Sequence, residues 1–215
     1  MTTPIEISLT CPACGTEFRS TSLMSTNHVG RRTDFHLITA GLPPLPFLIH
    51  TCTSCGYTDY PEGFEDHKHF PPELAQRIRN EFGPLVQDGL PDGGTRYGFA
   101  AKIAEWRGAV AGVIADIYLC AAWCCVDEGQ KESETIYRRL AIEHFKGALE
   151  NRDALPPEER LIIVYMVGEL YRRVGDLPCA HDWFDRVISE GEESAPIVRL
   201  AQRQREDPLD EMPPQ

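Results

Sequence analysis

The sequence predicts an α+β fold that is mostly α. A small N-terminal module of short β-strands gathers around cysteines, and an antiparallel array of helices follows. Three observations carry this. Four of the eight cysteines form two matching units, Cys11-Pro-Ala-Cys14-Gly15 and Cys52-Thr-Ser-Cys55-Gly56. Apolar residues recur at helical spacing from residue 96 to about 206. Part of that helical half repeats itself. A chain of 215 residues accommodates one sizeable core and a small appended module. With 42% hydrophobic and 25% charged residues it has the mix of a globular protein.

The first module, residues 1–70, consists of short apolar stretches broken by Pro, Gly, Thr and Ser. Two residues between paired cysteines turn both sulfurs toward one point, and the glycine after each pair permits the tight backbone that such a knuckle needs. Two knuckles supply four thiolates, the tetrahedral set of a closed zinc site. Cys11, Cys14, Cys52 and Cys55 are therefore the predicted ligands of one structural Zn²⁺; iron fits the same set. Strand-like stretches at residues 5–9, 17–20, 35–39 and 47–51 complete a zinc ribbon. The competing reading is a thiol–disulfide exchanger. That chemistry wants one Cys-x-x-Cys at a helix N-terminus beside a βαβ unit, and this chain has two pairs and no such pattern.

Charge excludes further classes. Acidic residues outnumber basic ones 33 to 21, giving −12, a balance that repels phosphate backbones and anionic lipids. Within the ribbon only Arg31-Arg32 resembles a phosphate contact, so nucleic acid is not the expected partner. No apolar run reaches the roughly 18–20 residues of a membrane helix. Residues 1–6 lack a basic region followed by an apolar one, which predicts a cytoplasmic address.

Residues 71–95 read as a short helix at 73–82, stopped by Gly83-Pro84, and a turn-rich loop at 87–94. Residues 96–206 form the helical domain. Ile103, Trp106, Val110, Val113, Ile117, Cys120 and Cys124 make an apolar stripe, with a break expected near 107–112 at Gly108 and Gly112. Gly168-x-x-Tyr171-x-x-x-Gly175 followed by Ala180-x-x-x-Phe184-x-x-Val187 resembles a tetratricopeptide repeat (TPR), a helix–turn–helix unit. Ala122-x-x-Cys125-x-x-x-Gly129 and Ala141-x-x-x-Phe145-x-x-Ala148 repeat the offsets, with a connection seven residues longer. Stacked TPR-like pairs line a groove that takes peptide segments, and position places Leu119, Trp123, Tyr165, Glu169 and Arg172 on it. Residues 207–215 are acidic and Pro-containing, the composition of a disordered tail.

The ordered motifs Cys11-Pro-x-Cys14, Arg32-Thr-Asp-Phe35, Gly41-x-x-Pro44-Leu45, Cys52-x-x-Cys55-Gly-Tyr57, Arg96-Tyr97 and Ala122-Trp123 resemble the bacterial family known as domain of unknown function 2225. The resemblance spans most of residues 8–190. It implies a zinc-ribbon-like N-terminus joined to TPR-like helices in a cytoplasmic bacterial protein, and it implies no activity. Thr53 stands where the family has proline, and Cys125 where an aromatic is common.

Two functional classes follow. The first is a non-catalytic, zinc-stabilised module whose TPR-like groove binds a protein or peptide, with a nucleic-acid-associated ribbon as the alternative. The second is an enzyme. No nucleophile motif, phosphate loop or His-Glu-x-x-His is present. The candidate chemistry is confined to Asp34, His36, Asp59, Glu65, His67 and His69, near the ribbon. His28, His36 and His50 each stand alone and are expected on the surface.

Overall fold

A computed structural model describes residues 3–65, 70–150 and 155–213. Six short strands precede seven helices. β1 (Pro4–Thr10) pairs antiparallel with β2 (Glu17–Leu23), β3 (His28–Arg31) with β4 (Leu37–Thr39), and β5 (His50–Thr51) with β6 (Thr58–Asp59). Each cysteine pair sits in the turn of a hairpin: residues 11–16 join β1 to β2, and residues 52–57 join β5 to β6. β3 and β6 are too short to leave a periodic signal. The stretch at 47–51 is a 3-10 turn followed by the two residues of β5.

Helix α1 (Pro72–Glu81) follows Pro71, and α2 (Gly93–Trp106) starts at a cap in which Asp92 accepts from Thr95 N at 2.9 Å. Gly93 and Gly94, expected in a loop, are thus the first helical residues. The break between α2 and α3 (Ala111–Glu128) falls where Gly108 takes φ +69°. It interrupts the expected stripe: Ile103, Ile117 and Cys124 are buried, but Val110 and Val113 face solvent.

Helices α4 (Lys131–Glu150), α5 (Pro157–Arg173), α6 (Leu177–Glu190) and α7 (Pro196–Glu206) complete the array. α3 and α5 end alike. Gly129 and Gly175 have φ +73° and +84°, and the next residue donates back five positions, Gln130 N to Cys125 O at 2.8 Å and Asp176 N to Tyr171 O at 2.9 Å. The seven extra residues between the repeats are no longer connection. They are the first two turns of α4, an acidic, solvated start that composition alone reads as loop.

Two apolar clusters form. The larger joins α2 to α7. The smaller joins the ribbon's Cys11, Phe18, Tyr57 and Phe64 to Ile78 and Phe82 after it and to Phe99 and Ile103 of α2, so packing does not divide at residue 70. The acidic segment at 207–213 is not loose either: Arg32 and Glu211 form an antiparallel bridge, and Met212 N donates to Arg31 O at 2.8 Å.

The α5–α6 contact offers a direct check. A Cβ on Gly168 would lie 3.0 Å from the Phe184 ring and 3.1 Å from Trp183 Cβ. Gly168→Leu is expected to cost about 1–3 kcal/mol by overpacking. Phe184→Ala, at a fully buried ring, is expected to cost roughly 3–5 kcal/mol. Ile162→Ala on the exposed face of α5 should stay within about 0.5 kcal/mol. Urea melts of the three variants read the contrast.

Candidate metal centre and the inner face of the helices

The two hairpin turns bring four sulfurs together. Sγ atoms of Cys11, Cys14, Cys52 and Cys55 all lie within 4.8 Å of one another, with Cys11–Cys55 and Cys14–Cys52 at 3.6 Å. Thiolates about 2.3 Å from a tetrahedral ion stand ~3.8 Å apart, so the set fits such an ion. Both knuckles fold alike: Gly15 N donates to Cys11 O at 2.8 Å, and Gly56 N to Cys52 O at 2.9 Å. Gly15 and Gly56 both have positive φ, +75° and +79°, and Gly56 carries a second constraint, since a Cβ there would meet Phe82 Cβ at 2.4 Å. The second knuckle therefore packs on the end of α1. Hydrogen bonds with Cys11 and then Cys55 lower the Cys52 thiol pKa from its ordinary value. Among the described residues this is the one group of three or more Cys, His, Asp or Glu suited to a metal. The charge of four thiolates and the filled coordination sphere describe a closed site with no open position.

The remaining cysteines take no part. Cys124 and Cys125 are buried and Cys120 is partly so; burial pushes the Cys120 thiol up to about 12.

The second constellation lies across α3, α4, α5 and α7. Residues 32–36, between β3 and β4, turn back tightly: Phe35 N donates to Arg32 O at 3.0 Å and Arg32 N to His36 O at 2.8 Å. Phe35 adopts φ +67°, unusual for an aromatic residue, and its ring packs on Tyr165 with centroids 5.7 Å apart. The turn delivers Asp34, fully buried, to Arg138 Nη1 at 2.9 Å and Arg173 Nε at 3.4 Å. Burial alone would push the Asp34 carboxyl up, but Arg138 and Arg173 outweigh it and hold it below the usual carboxylate range. Glu169, also fully buried, accepts from Arg172 Nε at 2.9 Å, Arg173 Nε at 2.7 Å, Gln204 Nε2 at 2.8 Å and the Thr33 hydroxyl at 2.7 Å. Tyr165 OH closes the backbone by donating to Thr33 O at 3.0 Å.

This corrects the open groove. Leu119, Tyr165 and Glu169 are buried, Trp123 stacks on His36 with centroids 5.4 Å apart, and Arg172 binds Glu169 and Asp210. Leu119 lies in the helical core, and the other four are met by the chain's own His36, Phe35, Thr33 and Asp210. The enzyme candidates also separate. Asp34 is taken by arginines, and the His36 ring nitrogen Nε2 pairs with Asp127 at 2.9 Å. Asp59 is held by Tyr57 and Arg107. Glu65 is exposed, and His67 and His69 lie outside the described residues. His36 and His50, expected on the surface, are buried, with His50 Nδ1 2.8 Å from Ser20 Oγ. Arg32 turns inward toward Asp34, which leaves only Arg31 exposed from the supposed phosphate pair.

A family model described as an uncharacterized protein conserved in bacteria, DUF2225, matches residues 5–207. No curated protein and no solved structure matches the chain. No helix among the described residues is long and apolar enough to cross a membrane.

Asp34 makes the network measurable. Asp34→Asn takes from the fully buried Arg138 one of its two carboxylate partners, leaving Glu134 at 2.8 Å, and is expected to cost about 3 kcal/mol at neutral pH. Because the folded pKa lies below the unfolded one, the unfolded state binds more protons in acid, and stability rises with pH there. The contribution is complete above about pH 4 and is lost as pH falls through the lowered folded value. The difference in urea midpoint between wild type and Asp34→Asn should therefore stay constant from about pH 7 to 5 and shrink below about pH 4.

Proposed function

The chain belongs to the DUF2225 family of uncharacterised bacterial proteins, and from that premise we propose a non-catalytic, zinc-stabilised scaffold whose helical array holds extended polypeptide. The ion is zinc, one per chain, on Cys11, Cys14, Cys52 and Cys55; its part is to join two hairpins that bury too little apolar surface to fold alone. The α3–α4 and α5–α6 pairs act as TPR-like repeats. Matching ends at Gly129 and Gly175, and buried Ala141/Phe145 and Ala180/Phe184, support that correspondence. A cytoplasmic address fits cysteines that serve as metal ligands or thiols and form no disulfide.

One observation carries the reading. Buried side chains of α5 and α7 hold non-helical backbone by direct hydrogen bonds, in the turn at Thr33 and at Leu209–Asp210: Tyr165 OH to Thr33 O at 3.0 Å, Arg173 Nη2 to Asp210 O at 2.9 Å, Gln204 Nε2 to Leu209 O at 2.9 Å. Such contacts recognise a peptide's main chain, the mode by which helical scaffolds and sheet edges take up extended partners.

Elemental analysis of purified protein should find about one zinc per chain. The Cys11→Ser, Cys52→Ser double variant should lose it, and a metal-free wild type would refute the centre. For the scaffold, tagged full-length protein recovered from its own organism should retain a reproducible protein partner that Arg172→Ala loses. Recovery of nucleic acid in place of protein would overturn the reading in favour of a nucleic-acid-associated ribbon.

A further inference from the structure

Residues 209–212 lie on the helical array as a ligand lies on a receptor. Gln204, 1% exposed, reads both backbone groups of Leu209: its Nε2 donates to Leu209 O at 2.9 Å, and its Oε1 accepts from Leu209 N at 2.7 Å. The carbonyl of Asp210 accepts from Arg173 Nη2 at 2.9 Å and from Thr33 N at 3.1 Å. The Asp210 carboxylate accepts from Arg172 Nη2 at 2.9 Å. Beyond it, Glu211 forms an isolated antiparallel bridge with Arg32, and Met212 N donates to Arg31 O at 2.8 Å.

The two sides of this contact differ. On the receiving side Glu169 and Gln204 are buried, and the side chains of Arg173 and Arg172 are 5% and 13% exposed. Both guanidiniums bond Glu169 as well as the segment they receive. On the other side the Asp210 side chain is 69% exposed, and Asp207, Pro208 and Glu211 are exposed too. Charge sets the kind of occupant. Arg32, Arg138, Arg172 and Arg173 converge on Asp34, Glu169 and Glu134 from the folded body, and Asp210 supplies the fourth carboxylate. Without an acidic residue at that position one buried-side guanidinium, Arg172, loses its outward partner. A preorganised receptor with one cation in excess selects an acidic peptide.

We propose that this face of α5 and α7 is a binding site for an acidic peptide held by its main chain, filled here intramolecularly by Leu209–Asp210. The assignment rests on the scaffold reading above and sharpens it. Main-chain clamping by Gln204 and Arg173 fixes the peptide's register, and Arg172 requires the acid that follows the clamped residue. A tethered segment competes at an effective concentration on the order of millimolar, so a partner peptide must displace residues 209–212 to enter.

The test keeps the chain whole. A fluorescent peptide of residues 207–213, Asp-Pro-Leu-Asp-Glu-Met-Pro, is titrated by anisotropy into wild type and into Asp210→Ala protein, whose own segment is weakened. The expected result is binding at least tenfold tighter to Asp210→Ala than to wild type. The same peptide with its aspartate after leucine changed to alanine should bind Asp210→Ala protein at least tenfold more weakly. Equal binding to wild type and Asp210→Ala, or none to either, overturns the assignment. So does equal affinity for the two peptides. Should Asp210→Ala protein prove unstable, hydrogen exchange of wild type with and without excess peptide serves. Slower exchange at the buried face with faster exchange at Met212 supports displacement, and unchanged exchange overturns it. If the peptide fails while full-length protein still retains an Arg172-dependent partner, the scaffold reading stands and only the acidic-peptide assignment falls.

Discussion

Two carboxylates, Asp34 and Glu169, are fully buried, and an uncompensated buried charge costs several kcal/mol. The rest of the architecture follows from meeting that cost. Asp34 comes from the turn between β3 and β4, Glu169 from α5, and their partners Arg138, Arg172 and Arg173 from α4 and α5. Thr33 and Gln204 fill the remaining valences of Glu169. Segments far apart in sequence therefore have to arrive together. Such a network adds little net stability over an apolar core, but it rejects any packing in which one member is missing.

The metal centre works on the same segment from the other side. Cys11–Cys14 and Cys52–Cys55 are drawn to one point, so residues 15–51 form a closed loop. The turn at 32–36 lies in the middle of that loop and docks on the helices. Fixing both ends of a loop lowers the entropy lost when its middle is ordered. A metal on the four cysteines would thus be coupled to the charge network: it would shorten the search, and the arginines select the docked position. The smaller apolar cluster links the two, since Gly56 of the second knuckle touches Phe82 and that ring stacks on Phe99 of α2 at 4.2 Å.

Features with local causes were legible in the sequence. The meeting of Cys11, Cys14, Cys52 and Cys55 followed from Cys-x-x-Cys-Gly spacing, and the ends of α3 and α5 from Gly129 and Gly175. The close approach at Gly168 and Phe184 followed from matched offsets. What escaped reading depends on distant partners. Thr33 and Glu169 are 136 residues apart and Asp34 and Arg138 are 104 apart, and neither pair lies in a periodic pattern. The motif Arg32-Thr-Asp-Phe35 was visible, but nothing local says that its aspartate is buried. The groove residues were placed on the right elements; their exposure was misjudged because no sequence pattern showed what covers them. The segment at 207–213 has the composition of disorder, yet it is held by main-chain contacts, which composition does not register.

Glu169 organises the docked turn and the segment over it. Native-state hydrogen exchange of full-length wild type and Glu169→Gln measures this amide by amide. Thr33 N, which donates to Asp210 O, and Met212 N, which donates to Arg31 O, should lose at least about tenfold in protection in Glu169→Gln. Amides pairing β1 with β2, far from the network, should keep theirs. Unchanged protection at Thr33 and Met212 would contradict the account and place the hold on the turn elsewhere.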